Sequence, residues 1–256
     1  MNRITGALTG VLLAFALTAA CAEGNQESGT PATRGGGRGN GAGRGAGNGL
    51  GPGGGAETDA QFQAQLDAIL AGVPVSDLTA AERDTLLAMA DEEKLARDAY
   101  ATLYAVWNLP VFNNISASEQ QHLDSLVSLL ARYGIKDPVS ALPPGQFASA
   151  ETKALYDRLV ASGSGSLGAA LTVGATIEDL DIADLQAAVA ATDNDDLKIV
   201  YQNLMKGSRN HMRSFYGQIE RQGGEYRAQY VSAAYLARIL ELNRETAVID
   251  DPDYRL

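Results

Sequence analysis

Hydrophobic residues recur at three- and four-residue intervals in four long stretches of the chain. This spacing is typical of amphipathic helices, whereas β-branched and aromatic residues nowhere alternate with polar residues over the length of a strand. The pattern therefore predicts four helices, at about residues 79–107, 116–133, 166–190 and 197–222. A shorter amphipathic helix is predicted from Tyr230 to Leu242.

Residues that start and stop helices support these boundaries. Thr79 and Glu82 have the spacing of a capping box at the start of the first helix, and Pro110 is expected to end that helix. Residues 134–165, between the second and third helices, contain three prolines and one short helical piece around Leu159. The sequence thus predicts an all-α fold, a four-helix bundle with one long crossover between helices 2 and 3 and a short C-terminal helix.

The first 22 residues have the pattern of an export signal. Arg3 precedes an apolar run that ends in small residues, which is the order of segments in a signal peptide. Leu17-Thr18-Ala19-Ala20 before Cys21 resembles a bacterial lipobox, so Cys21 is predicted to carry a lipid and to anchor the chain in the cell envelope. Cleavage after Ala22 is the alternative, and it would leave a secreted or periplasmic protein.

Composition separates a tether from a folded body. Residues 23–56 hold about half of the 28 glycines, together with scattered arginines, and such a segment is expected to be a disordered tether. The helical domain is then predicted at residues 57–245, followed by a tail at 246–256. The chain has a net charge of −11, of which residues 1–56 contribute +2 and the remaining residues −13. Nucleic acid is therefore not expected as a partner, and the membrane contact would be the lipid anchor alone.

Six ionisable residues lie on helix faces that are otherwise apolar. A carboxylate in such a place costs several kcal/mol unless it is paired or binds a cation. Both histidines of the chain are among the six, and all four helices contribute. The predicted metal ligands are Glu93, Glu119, His122, Glu178, His211 and Asp181.

The spacing of Glu119 and His122 is the main indication of a metal centre. Residues three apart on a helix point to the same side, and carboxylate-bridged di-iron bundles combine two such Glu-x-x-His pairs with one Glu from each of the other two helices. Three helices of this chain match that pattern. The fourth has Ser208 where the second pair needs a Glu, and Asp181, one turn after Glu178, is the candidate substitute.

The donor types limit the metal and its chemistry. Oxygen and imidazole donors suit Fe, Mn, Zn or Cu, and the single cysteine excludes iron–sulfur and Cys-rich zinc sites within the chain. One or two Fe or Mn ions would support a di-iron or di-manganese oxidoreductase acting on Fe(II) or peroxide, which would need an external electron donor. A non-enzymatic site for one Zn, Cu or Mn ion is the alternative.

Three interpretations without a metal stay open at this point. Glu119 could complete a capping box with Ser116, and either histidine alone could be an ordinary core residue. The inward charges could also form a salt-bridge network with Arg97 and Arg209 in a structural lipoprotein. Buried ion pairs seldom stabilise a fold more than apolar packing does, so the network is the less favoured of the two collective interpretations.

Four segments of the sequence resemble a known family. They are Glu92-Glu93-Lys94-Leu95-Ala96-Arg97-Asp98, Ser118-Glu119-x-x-His122, Ile177-Glu178-Asp179-Leu180-Asp181-Ile182 and Gly207-Ser208-Arg209-Asn210-His211. They are similar to the prokaryotic family catalogued as domain of unknown function 2202, over roughly residues 80–240. The first segment, continued to Tyr100, more distantly resembles the first helix of rubrerythrin-type proteins. The resemblance implies a ferritin-like fold and implies little about the reaction.

Overall fold

The computed structural model describes residues 55–256, with side chains from Gln61 onward. The predicted export signal, Cys21 and the tether up to residue 54 lie outside this part of the chain. Seven helices form the described part: α1 (Gly55–Ala71), α2 (Ala80–Trp107), α3 (Pro110–Arg132), α4 (Ala150–Gly163), α5 (Leu167–Ala191), α6 (Asp195–Arg221) and α7 (Ala233–Glu241). None of the described helices is both long and apolar enough to cross a membrane.

The four long helices α2, α3, α5 and α6 form a bundle. Short connections make α2 and α3 one antiparallel pair and α5 and α6 another, and the pairs contact each other through α2 with α5 and α3 with α6. Side chains without any exposed surface fill the centre, among them Leu86, Leu103, Phe112, Leu126, Leu171 and Phe215. The predicted all-α helical bundle is confirmed, while its ferritin-like assignment stays a prediction.

The second bundle helix starts earlier than the sequence pattern indicated. Asn108 adopts a left-handed conformation with φ 49° and ends α2, and Pro110 is then the first residue of α3. The prediction that this helix begins at about residue 116 was wrong because proline, which ends one helix, has the right φ to open the next. Ser116 instead donates its hydroxyl to the carbonyl of Arg97.

The long connection between α3 and α5 folds back over α2 and α5 as helix α4. Acidic side chains of α2 hold the loop that leads into it. Asp91 accepts hydrogen bonds from the backbone N–H groups of Ala148 and Ser149, and Asp98 accepts one from Gly145. Buried carboxylates therefore fix the crossover to the bundle.

Two further segments cover the outside of the bundle. Helix α1 packs on α3 through the buried Leu66 and Leu70. After α7, the chain runs along α6, where Asn203 bonds both the N–H and the carbonyl of Ile249. Part of the predicted tail at residues 246–256 is thus in contact with the bundle.

Candidate metal centre

Five of the six predicted ligands meet in the middle of the bundle, each no more than 7% exposed. Glu119 lies at their centre because its two carboxylate oxygens face different histidines. Its Oε2 is 2.7 Å from His122 Nδ1, and its Oε1 is 2.9 Å from His211 Nδ1. The two imidazole rings lie 5.4 Å apart between centroids. One carboxylate therefore joins the two histidines of the chain.

Each histidine also faces a second carboxylate from the helix beside it. His122 Nδ1 is 3.3 Å from Glu93 Oε2, and His211 Nδ1 is 3.4 Å from Glu178 Oε2. The cluster is thus built from two half-sites that share Glu119. Glu93 and His122 form the first half-site, and Glu178 and His211 form the second.

Two polar atoms in the cluster lack hydrogen-bond partners within the described part of the chain. They are Glu93 Oε1 and His211 Nδ1. The His211 nitrogen is close to Glu119 Oε1, yet the pair does not have hydrogen-bond geometry. Two ligand atoms roughly 2.0–2.2 Å from one ion are separated by about 3 Å, so contacts of this length without hydrogen bonds are expected of converging ligands.

Burial and mutual charge shift the pKa values of the three carboxyl groups in opposite directions. Burial raises the pKa of Glu93 to about 7 and that of Glu178 to about 7. Glu119 is equally buried, but the charges of His211 and His122 outweigh the effect of burial and hold its pKa below the usual range. The central carboxylate is therefore the one that stays ionised most readily.

The imidazoles take up protons more readily than an ordinary histidine does. Burial works against their charge, but Glu119 and Glu178 raise the pKa of His211 to about 9, and Glu93 and Glu119 raise that of His122. Near neutral pH the cluster thus holds protons on nitrogen and oxygen atoms that face one another. Metal ions displace such protons when they bind.

The arginines considered for a salt-bridge network lie elsewhere. Arg97 donates to Asp98 and Gln120, and Arg209 pairs with Glu245. Within residues 61–256, no lysine or arginine forms an ion pair with Glu93, Glu119 or Glu178. Arg97 and Arg209 are therefore not the partners of these three carboxylates, which within the described residues have only the two histidines to balance their charge. Capping by Glu119 is excluded as well, because its oxygens face the histidines.

Asp181, the sixth predicted ligand, is beside the cluster and not within it. Its carboxylate accepts a hydrogen bond from Ser208 on α6, and the Ser208 hydroxyl also contacts the carbonyl of Leu204. Burial raises the pKa of Asp181, and the negative charge of Glu93 adds to the effect. Ser208 and Asp181 together thus occupy the place where a second Glu-x-x-His pair would have put its carboxylate.

Three residues outside the predicted set of ligands position those ligands. The Tyr100 hydroxyl donates to Glu178 Oε1 at 2.5 Å, and Ser118 Oγ is 2.9 Å from His211 Nε2. Gly207 lies against the ring of His122, where a Cβ would come within 2.2 Å of Nε2. Ser118 and Gly207 stand within four residues of a predicted ligand in sequence, and both begin segments that resemble the family.

Comparisons with known proteins identify the family of this chain. A family model described as "Uncharacterized protein domain (DUF2202)" matches residues 82–243. The chain belongs to the DUF2202 family. The matched range of the DUF2202 domain begins in the first turn of α2 and ends just after α7, so it contains every residue of the cluster.

A relative of this chain has a known structure. The "Uncharacterized protein MJ0754" of Methanocaldococcus jannaschii is 46% identical over 176 residues, which are 69% of this chain and 95% of the relative. The crystal structure of that hypothetical protein aligns with a TM-score of 0.67 over 68% of this chain and 99% of its own. The family resemblance predicted from the four sequence segments is confirmed.

Proposed function

We propose that this DUF2202 protein binds metal and that its buried centre would hold two ions, Fe or Mn, with Glu119 as the ligand that both sets of residues share. The observation that carries the proposal is the position of Glu119, whose two oxygens contact one histidine each at 2.7 and 2.9 Å. A carboxylate that faces two imidazoles in this way has one oxygen for each of two ions. Glu93 and His122 would complete one set of ligands, and Glu178 and His211 the other.

The residues present fit such ions. Glu93 Oε1 and His211 Nδ1 are buried atoms of types that bind metal ions, and neither has a hydrogen-bond partner in the described part of the chain. Leaving a buried polar atom unpaired costs free energy. The donor set contains oxygen and imidazole nitrogen without thiolate, and this combination suits Fe and Mn. Gly207 leaves the space that the His122 ring occupies.

The proposed activity is that of an oxidoreductase acting on Fe(II) or peroxide. Bound Fe or Mn would supply the one-electron chemistry, while the chain's own residues orient the ligands and exclude water from the centre. Asp181 and Ser208 lie beside the centre, where they can hold a proton between α5 and α6. Residues 61–256 contain no cysteine, so an external reductant would supply the electrons for peroxide reduction. In Fe(II) oxidation the Fe(II) itself would supply the electrons, and peroxide would accept them.

The proposed place of action is the cell envelope. The signal-like residues 1–22 and the lipobox-like segment before Cys21 support export and lipid anchoring, with residues 23–56 as the spacer. Radiolabelled palmitate should enter the wild-type chain in a bacterial host and should not enter Cys21→Ser. Release of unlabelled wild-type protein into the medium would favour the secreted alternative.

A mononuclear site is the second candidate. Ligand atoms of Glu119, His122 and His211 all lie within 4.8 Å of one another, which is close enough for one ion of Zn, Cu or Mn. Such a site would bind metal without redox turnover. It differs from the proposed centre in its stoichiometry and in its dependence on Glu93 and Glu178.

Metal titration of chelator-treated protein tests the proposal. With Mn(II) or with anaerobic Fe(II), wild type should bind two ions per chain, Glu93→Gln and Glu178→Gln one each, and Glu119→Gln none. Glu220→Gln, an exposed change on α6, is the control and should bind like wild type. One ion per chain in wild type, lost in His122→Ala and in His211→Ala, would favour the mononuclear site. No binding by wild type would end the metal proposal.

A further inference from the structure

A pocket of about 290 Å³ lies between α5, α6, α7 and residues 254–256. None of the six predicted metal ligands lines it, so it is separate from the proposed centre. Its volume is close to the lower end of the range for small-molecule sites, about 300–1,000 Å³. Apolar and aromatic side chains form much of its wall, among them Val189, Met205, Tyr235 and Tyr254. The pocket is therefore suited to a molecule built on one aromatic ring.

Gln202, in the wall of this pocket, has a hydrogen-bond acceptor without a donor. The residue is 3% exposed, and its Nε2 donates to the carbonyl of Pro252, which sets the orientation of the amide. Its Oε1 is buried and has no hydrogen-bond partner in the described part of the chain. Leaving such an oxygen unpaired costs free energy. A ligand with an O–H or N–H group at this point would supply the missing donor.

The arginines at the pocket leave positive charge without an equal number of carboxylates. Arg209 lines the pocket and shares the single carboxylate of Glu245 with Arg213. Arg255, also in the wall, donates among the described residues only to the carbonyl of Tyr254. This local excess of positive charge occurs in a chain whose net charge is −11. An anionic group on the ligand would balance it.

We propose that this pocket binds a small aromatic carboxylate that carries a hydroxyl group on its ring. The hydroxyl donates to Gln202 Oε1, and the carboxylate pairs with Arg255. The ring packs against Tyr235, Tyr254 and Met205, since aromatic rings pack favourably on one another and on the sulfur of methionine. The inference does not depend on the proposed function, because no predicted metal ligand takes part.

Titration of the full chain with 4-hydroxybenzoate, followed by the NMR line widths of the ligand, tests the site. Wild type should bind one molecule per chain with a Kd below about 1 mM. Benzoate, which lacks the hydroxyl, should bind about tenfold more weakly, because the Gln202 oxygen then stays unpaired. Arg255→Gln should weaken the binding of 4-hydroxybenzoate by about two- to fivefold. The control Arg227→Gln removes the same charge from a side chain that is 85% exposed and outside the pocket, and it should bind like wild type.

Two further variants separate the pocket from non-specific binding. Ala190→Trp places a large ring in the pocket from an exposed position of α5 and should abolish binding without lowering Tm. Gln202→Leu removes the acceptor, so 4-hydroxybenzoate and benzoate should bind it equally. Binding that persists in Ala190→Trp would overturn the site, and so would equal affinity of wild type for the two ligands. Failure of wild type to bind 4-hydroxybenzoate would overturn it as well and leave the metal centre standing.

Discussion

Gly207 shows how closely the helices approach at the centre. A Cβ at this position would lie 2.2 Å from His122 Nε2 and 2.5 Å from Cε1, so in Gly207→Ala the imidazole has to leave its place. We expect metal affinity to fall by about 10- to 100-fold, as it does when a ligand loses its orientation. Titration with Mn(II) measures the change.

The matched control for this variant is Gly168→Ala. Gly168 lies in the first turn of α5, and a Cβ there would meet nothing within 4 Å. Alanine in a helix is favoured over glycine by up to about 1 kcal/mol, so this variant should bind metal normally and unfold at the same or a higher temperature. Equal metal affinity in both glycine variants would contradict the packing of His122 on Gly207.

Tyr100 is expected to act on one half-site only. Its hydroxyl donates to Glu178, while its ring packs on Phe215 with centroids 5.2 Å apart. Tyr100→Phe keeps the ring and leaves the Glu178 oxygen without its donor, which should destabilise the fold by about 1–3 kcal/mol. The affinity for the ion at the half-site of Glu178 and His211 should fall, while the affinity for the ion at the half-site of Glu93 and His122 should not change. Two equal decreases in a two-site titration would show that Tyr100 does not act through Glu178.

The sequence predicted which residues meet in the centre but not what the neighbouring acids do. Glu93, Glu119, His122, Glu178 and His211 could be found because each interrupts an apolar face with the period of a helix. Asp179 follows Glu178 and reads as part of a solvated face, yet it is fully buried and accepts hydrogen bonds from Tyr226 and from the backbone N–H of Val231. Those partners are about fifty residues away, and helical periodicity does not record such distant contacts.

At the scale of elements, periodicity located the bundle helices and missed α1. Phe62, Leu66, Ile69 and Leu70 have helical spacing, but the glycine-rich segment before them hid the signal. The start of α3 was misplaced for a different reason, since a proline can end one helix and open another. Helix positions in the core follow from local patterns, whereas the covering helix and the exact turns depend on tertiary contacts.

Asp91 is predicted to hold the crossover that contains α4. Asp91→Ala removes the acceptor of two backbone N–H groups, those of Ala148 and Ser149, and should lower the free energy of unfolding by about 1–3 kcal/mol. Amide exchange in the first turn of α4 should become faster. Asp84→Ala, at an exposed position of the same helix, is the control. Equal amide protection in both variants would show that the loop is held by apolar contacts alone.

In the whole molecule, α6 is enclosed on two sides. One face carries Ser208 and His211 toward the centre, and the other is covered by the segment after α7. Arg209, only 2% exposed, pairs with Glu245 of that segment, so the arginine considered as a partner of the inward carboxylates serves the outer layer. The site charges are thereby left to the two histidines and, in the proposed function, to the metal ions.

Because of this charge balance, the stability of the metal-free protein is expected to fall as the pH rises, whereas the stabilisation by added metal is expected to grow. The pKa values of Glu93 and Glu178 are raised from 4.5 to about 7, so between these values the folded chain holds more protons than the unfolded chain, and stability falls as pH rises. The pKa of His211 is raised from 6.5 to about 9, and its contribution is present below the lower value and lost toward the higher one. These shifts have the same sign.

Chelator-treated protein should therefore lose thermal stability as the pH is raised from about 5 to about 9. Added Mn(II) should raise Tm by an amount that grows over the same range, because the ions compete with protons for the same atoms. The variant Glu93→Gln/Glu178→Gln should flatten the part of the chelator curve below about pH 7, since neither amide titrates. A Tm that rises with pH in chelator, or a Mn(II) effect that is constant across the range, would mean that these five side chains neither share protons nor exchange them for metal.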